Sequence, residues 1–173
     1  VTEFSIQSRT LSREFLTWLW YKSEERGGSV FVPGQGDVAV VFHKRVILEA
    51  GDGEYTETVL CQGLHADLKE GKAALREGKK VREARLLLGK GHQEWEFTFK
   101  GDGFVFQSMR LPRIMSQEEE ESGIEGRLLE RLYLMEVPLQ IMESLFTVFI
   151  ERRLGTEWIS EDLPSLRSWI GVS

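Results

Sequence analysis

Acidic side chains give this sequence its most direct route to chemistry. Glu49, Asp52, Glu54, Glu57, Glu94 and Glu96 fall on or beside stretches that read as strands. Glu94 and Glu96 lie two residues apart on one of them and so share a face. With Glu49 they could hold a magnesium ion for metal-dependent nuclease chemistry. Alternation with Trp95 and Phe97 explains the same pair as the wet face of an amphipathic strand, and that plainer reading is preferred. The acidic run Glu118–Glu121 reads as a solvated linker and helix start.

Other catalytic groups are sparse. The three histidines, His43, His65 and His92, stand in different segments without the short spacing of a metal pair. They read as surface or turn residues. The lone cysteine, Cys61, sits at a strand end and reads as a small buried group, not a nucleophile. Gly34-Gln35-Gly36 and Gly89-Lys90-Gly91 do not continue into the lysine-containing loop and helix that phosphate binding needs, so they are turn glycines. No catalytic residue, metal ligand or cofactor is assigned.

Basic residues come in local groups: Lys79, Lys80, Arg82 and Arg85; Lys44 and Arg45; Arg110 and Arg113; Arg152 and Arg153. On one shared face they could neutralise phosphates along a duplex. A net charge of -6 argues against a basic surface all round but leaves room for such a face. Charge alone favours scattered solubilising residues over a binding face.

The elements that would position these groups follow from period and punctuation. At 173 residues, with 41% hydrophobic and 29% charged side chains, the chain can bury a core without disulfides or metals. A single thiol points to a reducing cytoplasm. No signal peptide is visible, and no apolar run approaches the roughly 18 residues of a membrane span. Residues 1–11 read as a short extended lead-in. Ser12 then caps a helix to about Glu25, ended by Gly27-Gly28. Its Phe15, Leu16, Trp18, Leu19 and Trp20 are too many for one stripe, so burial on most sides is expected.

Val30–Val32 reads as a short strand. Val38 to Ala50 reads as a long one that His43-Lys44-Arg45 bulges or splits. Glu54 to Cys61 returns beside it after Gly51-Asp52-Gly53. Leu64 to Gly78 has helical period, weakened by Gly71. Val81–Leu88, His92–Phe99 and Phe104–Leu111 form an antiparallel meander with glycine-rich turns. Ser116-Gln117-Glu118-Glu119 and Ser122-Gly123-Ile124-Glu125 both have capping-box spacing, the second being the better helix start. The apolar face from Ile124 to Phe149 should break into two helical segments near Val137-Pro138. It carries more apolar groups than one face needs. A final helix, Asp162–Ile170, should tuck Trp169 onto the body.

The fold expected is α+β: antiparallel β hairpins and a meander packed with an aromatic-rich N-terminal helix and a C-terminal helical segment. Residues 1–113 form the α+β core. Residues 114–173 form helices packed on it, together making one structural domain.

Leu11-Ser12-Arg13-Glu14-Phe15-Leu16-Thr17-Trp18-Leu19-Trp20 resembles an aromatic block of the RdgC-like recombination-associated proteins, in their shorter, divergent branch. Asp37–Leu48, Leu64–Lys80, Gly91–Phe99 and Met109-Arg110-Leu111-Pro112 resemble further pieces of that branch in the same order. The likeness covers about residues 11–113 and places the chain with the carboxy-terminal portion of such proteins. It implies a non-catalytic protein that binds double-stranded DNA with little sequence preference, as a ring-shaped dimer, and restrains the strand-exchange recombinase. A nucleoid-associated place in the cytoplasm would follow. It supplies no DNA-contacting residues. The charge pattern nominates Lys79, Lys80, Arg82 and Arg85 first, then Arg110 and Arg113. The alternative is a protein-interaction or oligomerisation domain without direct DNA contact.

Overall fold

The computed structural model describes residues 3–51, 56–65, 68–114 and 121–172. Helix α1 spans Glu3–Glu25. The lead-in expected to be extended is therefore helical from Glu3, and Ser12 lies inside the helix instead of capping it. No Gly or Pro interrupts residues 3–11, and extending an anchored helix adds one hydrogen bond per residue without a new nucleation cost. The other end behaves as expected. Gly27 and Gly28 take φ of 63° and 90°, and the Gly28 amide donates to the Ser23 carbonyl at 2.6 Å, closing a Schellman-type cap.

The sheet has six strands: β1 (Ser29–Val32), β2 (Gly36–Ala50), β3 (Glu57–His65), β4 (Lys80–Lys90), β5 (Gln93–Lys100) and β6 (Val105–Arg110). Its order is β1-β2-β4-β5-β6, and β3 shares with β1 the other edge of β2. Every pairing is antiparallel. The basic triplet does not split β2. It makes a bulge between His43 and Lys44, with Lys44 at φ 60°. The expected return strand is β3, which runs on to His65; the start expected for it, at residue 54, falls in the stretch 52–55, outside the described residues. Leu64 thus belongs to the strand, and helix α2 is shorter than its period suggested, Leu68–Arg76.

β3 and β4 flank β2 and are both antiparallel to it, so α2 carries the chain across β2 between two parallel strands. Gly71 explains itself here. A Cβ at that position would lie 2.3 Å from Cη2 of Trp20, so only glycine lets α2 approach the ring.

One face of the sheet is apolar by two-residue alternation. Val38, Val40, Phe42, Leu86, Leu88, Trp95, Phe97 and Phe99 are all buried. Phe15 through Tyr21 on α1 are buried without a gap, which confirms the expectation that this helix is covered on most sides. Trp20 stacks on Phe42 at 5.5 Å, and Phe15 meets Phe99 edge-on at 6.4 Å.

Helix α3 runs unbroken over Glu121–Leu154 with Pro138 inside it. The expected break near Val137-Pro138 is absent, and the reason is local. Proline withholds the amide that would bond to the carbonyl of residue 134. The indole N–H of Trp95 donates to that same Leu134 carbonyl at 2.8 Å, so the acceptor is satisfied from β5. Described from Glu121 onward, the helix already includes Ser122, and residues 116–119 lie outside the described residues.

By length and composition α3 could cross a bilayer, with mean hydropathy 1.3 within Gly123–Leu154. Glu136 and Glu143 interrupt any continuous apolar run within it, whereas an average absorbs them. Its C-terminal half is built into the core through Ile141, Met142, Leu145 and Phe149. Beyond it, after a single π-helical turn at Trp158–Asp162, helix α4 (Leu163–Ile170) sets Trp169 against Trp20 and Tyr21, as expected of the final helix.

Candidate nucleic-acid interface

The nominated cations do not form one continuous face. Lys79, between α2 and β4, is only 6% exposed and pairs with Glu77 at 2.7 Å and Glu57 at 3.2 Å. The Glu77 carboxylate, with Glu57 behind it, holds its ammonium above the usual lysine range. Lys80 pairs with Glu14 of α1 at 3.0 Å, and Arg153 shares that carboxylate at 2.9 Å. Arg82 is bound to Glu49, which also takes Arg13 at 3.3 Å. Lys80 and Arg82 thus tie β4 to α1 and β2, and Lys79 ties the turn before it to β3. A phosphate reaching Lys79 would have to displace a carboxylate, and Lys80 and Arg82, at 39% and 36% exposed, are more covered than Lys44 and Arg110.

Arg85 and Arg110 are different. Although 25 positions apart in sequence, they meet over the outer face of the sheet around one acid, Glu96. Arg85 Nε donates to Glu96 Oε1 at 3.0 Å, and Arg110 Nη1 stands 3.7 Å from Oε2. A third cation joins them: Lys44 Nζ donates to Oε1 at 2.8 Å. The Lys44 hydrogen bond, opposed by partial burial and reinforced by Arg85, pulls the Glu96 carboxyl down to about 2. Arg85 is further fixed by Thr98 Oγ1 at 3.3 Å and the Ser108 carbonyl at 2.9 Å.

Four adjacent strands supply this group: Lys44 from β2, Arg85 from β4, Glu96 from β5 and Arg110 from β6. Bulges aim the two outer contributors. Lys44 sits at the β2 bulge with φ 60°. Ser108, at φ 50°, lies where the register between β5 and β6 slips between Glu96 and Thr98. Non-glycine residues in this left-handed region cost energy and persist where surrounding contacts hold them. In the sequence Lys44 belongs to a basic pair with Arg45, outside the nominated residues. Its only signal was the triplet His43-Lys44-Arg45, and nothing in the triplet reveals which strand it will face. Arg113 is exposed beyond β6, outside the group.

The acids proposed for a metal are accounted for differently. Glu96 is ringed by cations, Glu49 is held by Arg82 and Arg13, and Glu94 is exposed. Among the described residues no three His, Cys, Asp or Glu side chains converge as a metal site would require. Cys61 is buried, as expected of a small core residue. A cleft of about 450 Å³ between α1, β1 and α3 is bordered by Lys22, Glu25, Arg152 and Glu161. Lys22 pairs with Glu25 and Arg152 with Glu161, which leaves Arg26 as the other charged residue of the lining.

No protein-family model matches the chain, and neither a curated protein nor a solved structure shows detectable similarity to it.

Proposed function

We propose that this chain is a non-catalytic, DNA-associated protein of the RdgC-like kind. It would contact the backbone of duplex DNA through the outer face of its sheet and take part in recombination control beside a strand-exchange recombinase. The observation that carries the reading is the stoichiometry at Glu96: three cations share one carboxylate. Glu96 needs only part of that charge. Arg110, 74% exposed, and Lys44, 49% exposed, can each meet a phosphate without leaving it. Phosphate contacts of this sort fix position without reading sequence. The family named in this reading rests on the ordered resemblance over residues 11–113.

A net charge of -6 sets the expected behaviour. Only the correctly oriented face attracts a duplex, so binding is weak at physiological salt and strengthens steeply as salt falls. Fluorescence anisotropy with a duplex of about 30 base pairs tests this over a salt series. Arg110→Gln and Lys44→Gln should each weaken binding uniformly across sequences and reduce the salt slope by about one. Absence of binding at low salt, or unchanged slopes in both variants, would refute the reading.

A further inference from the structure

Between the end of β6 and the N-terminal half of α3 lies an apolar cleft of about 240 Å³, lined by Met109, Leu111, Pro112, Ile114, Met135 and Arg131. Met109, Leu111 and Ile114 pack against the core, so the floor of the cleft continues the hydrophobic interior. Met109 precedes Arg110 on β6, and successive strand residues face opposite sides of a sheet. The cleft is therefore on the side that the helices cover, away from the cations around Glu96. Leu128 and Leu132, both exposed, extend the apolar surface along α3 from Met135.

Charge, size and backbone together narrow what fits there. Arg131 is the charged member of the lining, and Arg113 stands between Pro112 and Ile114. Both are exposed, and neither has an ion pair among the described residues. The other nominated cations, Lys79, Lys80, Arg82, Arg85 and Arg110, all stand beside carboxylates. The cleft is smaller than the roughly 300–1,000 Å³ of a small-molecule pocket and takes one large apolar side chain. Beside it, β6 is the outermost strand, and its far edge pairs with no other strand among the described residues. Such an edge offers main-chain hydrogen bonds to an extended chain laid along it.

We propose that this cleft docks a short acidic peptide segment of another protein. One large apolar side chain of the segment fills the cleft, and carboxylates on either side of it meet Arg113 and Arg131. The unpaired arginines select for negative charge, and the apolar floor selects for a side chain between the charges. A duplex has phosphates but no apolar group to fill the cleft, and a bilayer surface is too flat to enter it. The contact is small, so affinity rests on one anchor and two rim charges and falls in about the 10–300 µM range. The docking does not rest on DNA binding, because Arg113 and Arg131 lie outside the group around Glu96.

Fluorescence anisotropy of the whole chain tests it with a capped, fluorescein-labelled peptide in which one Phe is flanked on both sides by Asp. Replacing the Phe with Ala, or the Asp residues with Asn, should each weaken binding by about ten-fold or more. Met135→Glu should abolish it, because the new carboxylate lines the cleft. Arg113→Gln and Arg131→Gln should each weaken it by up to about five-fold, and added salt should weaken the parent chain more than either variant. Lys44→Gln, on the opposite face, should leave it unchanged. Absence of binding up to about 1 mM peptide would overturn the proposal. So would binding indifferent to both arginine variants, or binding lost in Lys44→Gln, which would put the peptide on the outer face. Co-sedimentation with vesicles of phosphatidylcholine and phosphatidylglycerol that Met135→Glu abolishes and the peptide does not compete for would assign the cleft to lipid and equally overturn it. If Met135→Glu unfolds the chain, the two arginine variants, both at exposed positions, still decide.

Discussion

Replacing Trp95 with Phe should be far more damaging than the loss of ring size implies, and the excess should vanish when Pro138 becomes Ala. Trp95 is fully buried, and its indole N–H is the donor that Leu134 lacks because residue 138 is proline. Trp95→Phe removes the donor and strands a buried carbonyl inside α3. An unsatisfied buried acceptor costs about 1–3 kcal/mol, and the smaller ring leaves a partial cavity worth about 1–2 kcal/mol more. In the Pro138→Ala background the alanine amide bonds to Leu134 in the ordinary helical way. Trp95→Phe should then cost only the cavity. The two substitutions should couple by about 1–2 kcal/mol, well above the ~0.5 kcal/mol scatter of independent sites. Urea unfolding of the four proteins measures that coupling. Additive losses would show that the indole contributes packing alone and that α3 tolerates its proline for some other reason.

Gly71→Ala should destabilise the fold even though alanine is the better helix former by about 1 kcal/mol. The new Cβ would lie 2.3 Å from Cη2 and 2.9 Å from Cζ3 of Trp20, whose ring is locked in the core, and such overpacking costs about 1–3 kcal/mol. A raised thermal midpoint would contradict this. Glu96 should give the fold an acid-sensitive component. Its carboxyl titrates near 2 in the folded chain and near ~4.3 when unfolded, so its stabilisation is complete above that unfolded value and disappears as pH falls toward the folded one. After solvent screening the component is on the order of 1 kcal/mol. The stability gap between the parent chain and Glu96→Gln should therefore narrow from pH 6 to pH 3; a constant gap would remove Glu96 from the acid response.

What was legible in the sequence is what neighbouring residues settle between themselves. The alternation of Trp95, Phe97 and Phe99 with Glu94, Glu96 and Thr98 marks a half-buried strand without help from elsewhere. The density of Phe15–Trp20 likewise requires a helix covered on most sides. The errors fall where a distant residue decides. Pro138 breaks a helix by every local rule, and an indole from β5, 39 positions away from the acceptor along the chain, supplies the missing donor. Gly71 weakens a helix by every local rule, and Trp20 demands it.

The grouping of the basic residues is likewise decided at a distance. Lys79, Lys80, Arg82 and Arg85 look like one group in a row, yet three of them bond to carboxylates on different elements, from α1 to β3. Arg85 alone turns to the outer face with Arg110. Two register slips, at Lys44 and near Ser108, decide that grouping. A slip of one residue moves a side chain to the other side of a sheet, so the same cations in regular strands would not meet. Charge counted along the chain therefore groups Lys79, Lys80 and Arg82 with Arg85 and leaves Lys44 paired with Arg45 instead. The bulges determine whether this acidic chain has a face that a polyanion can approach.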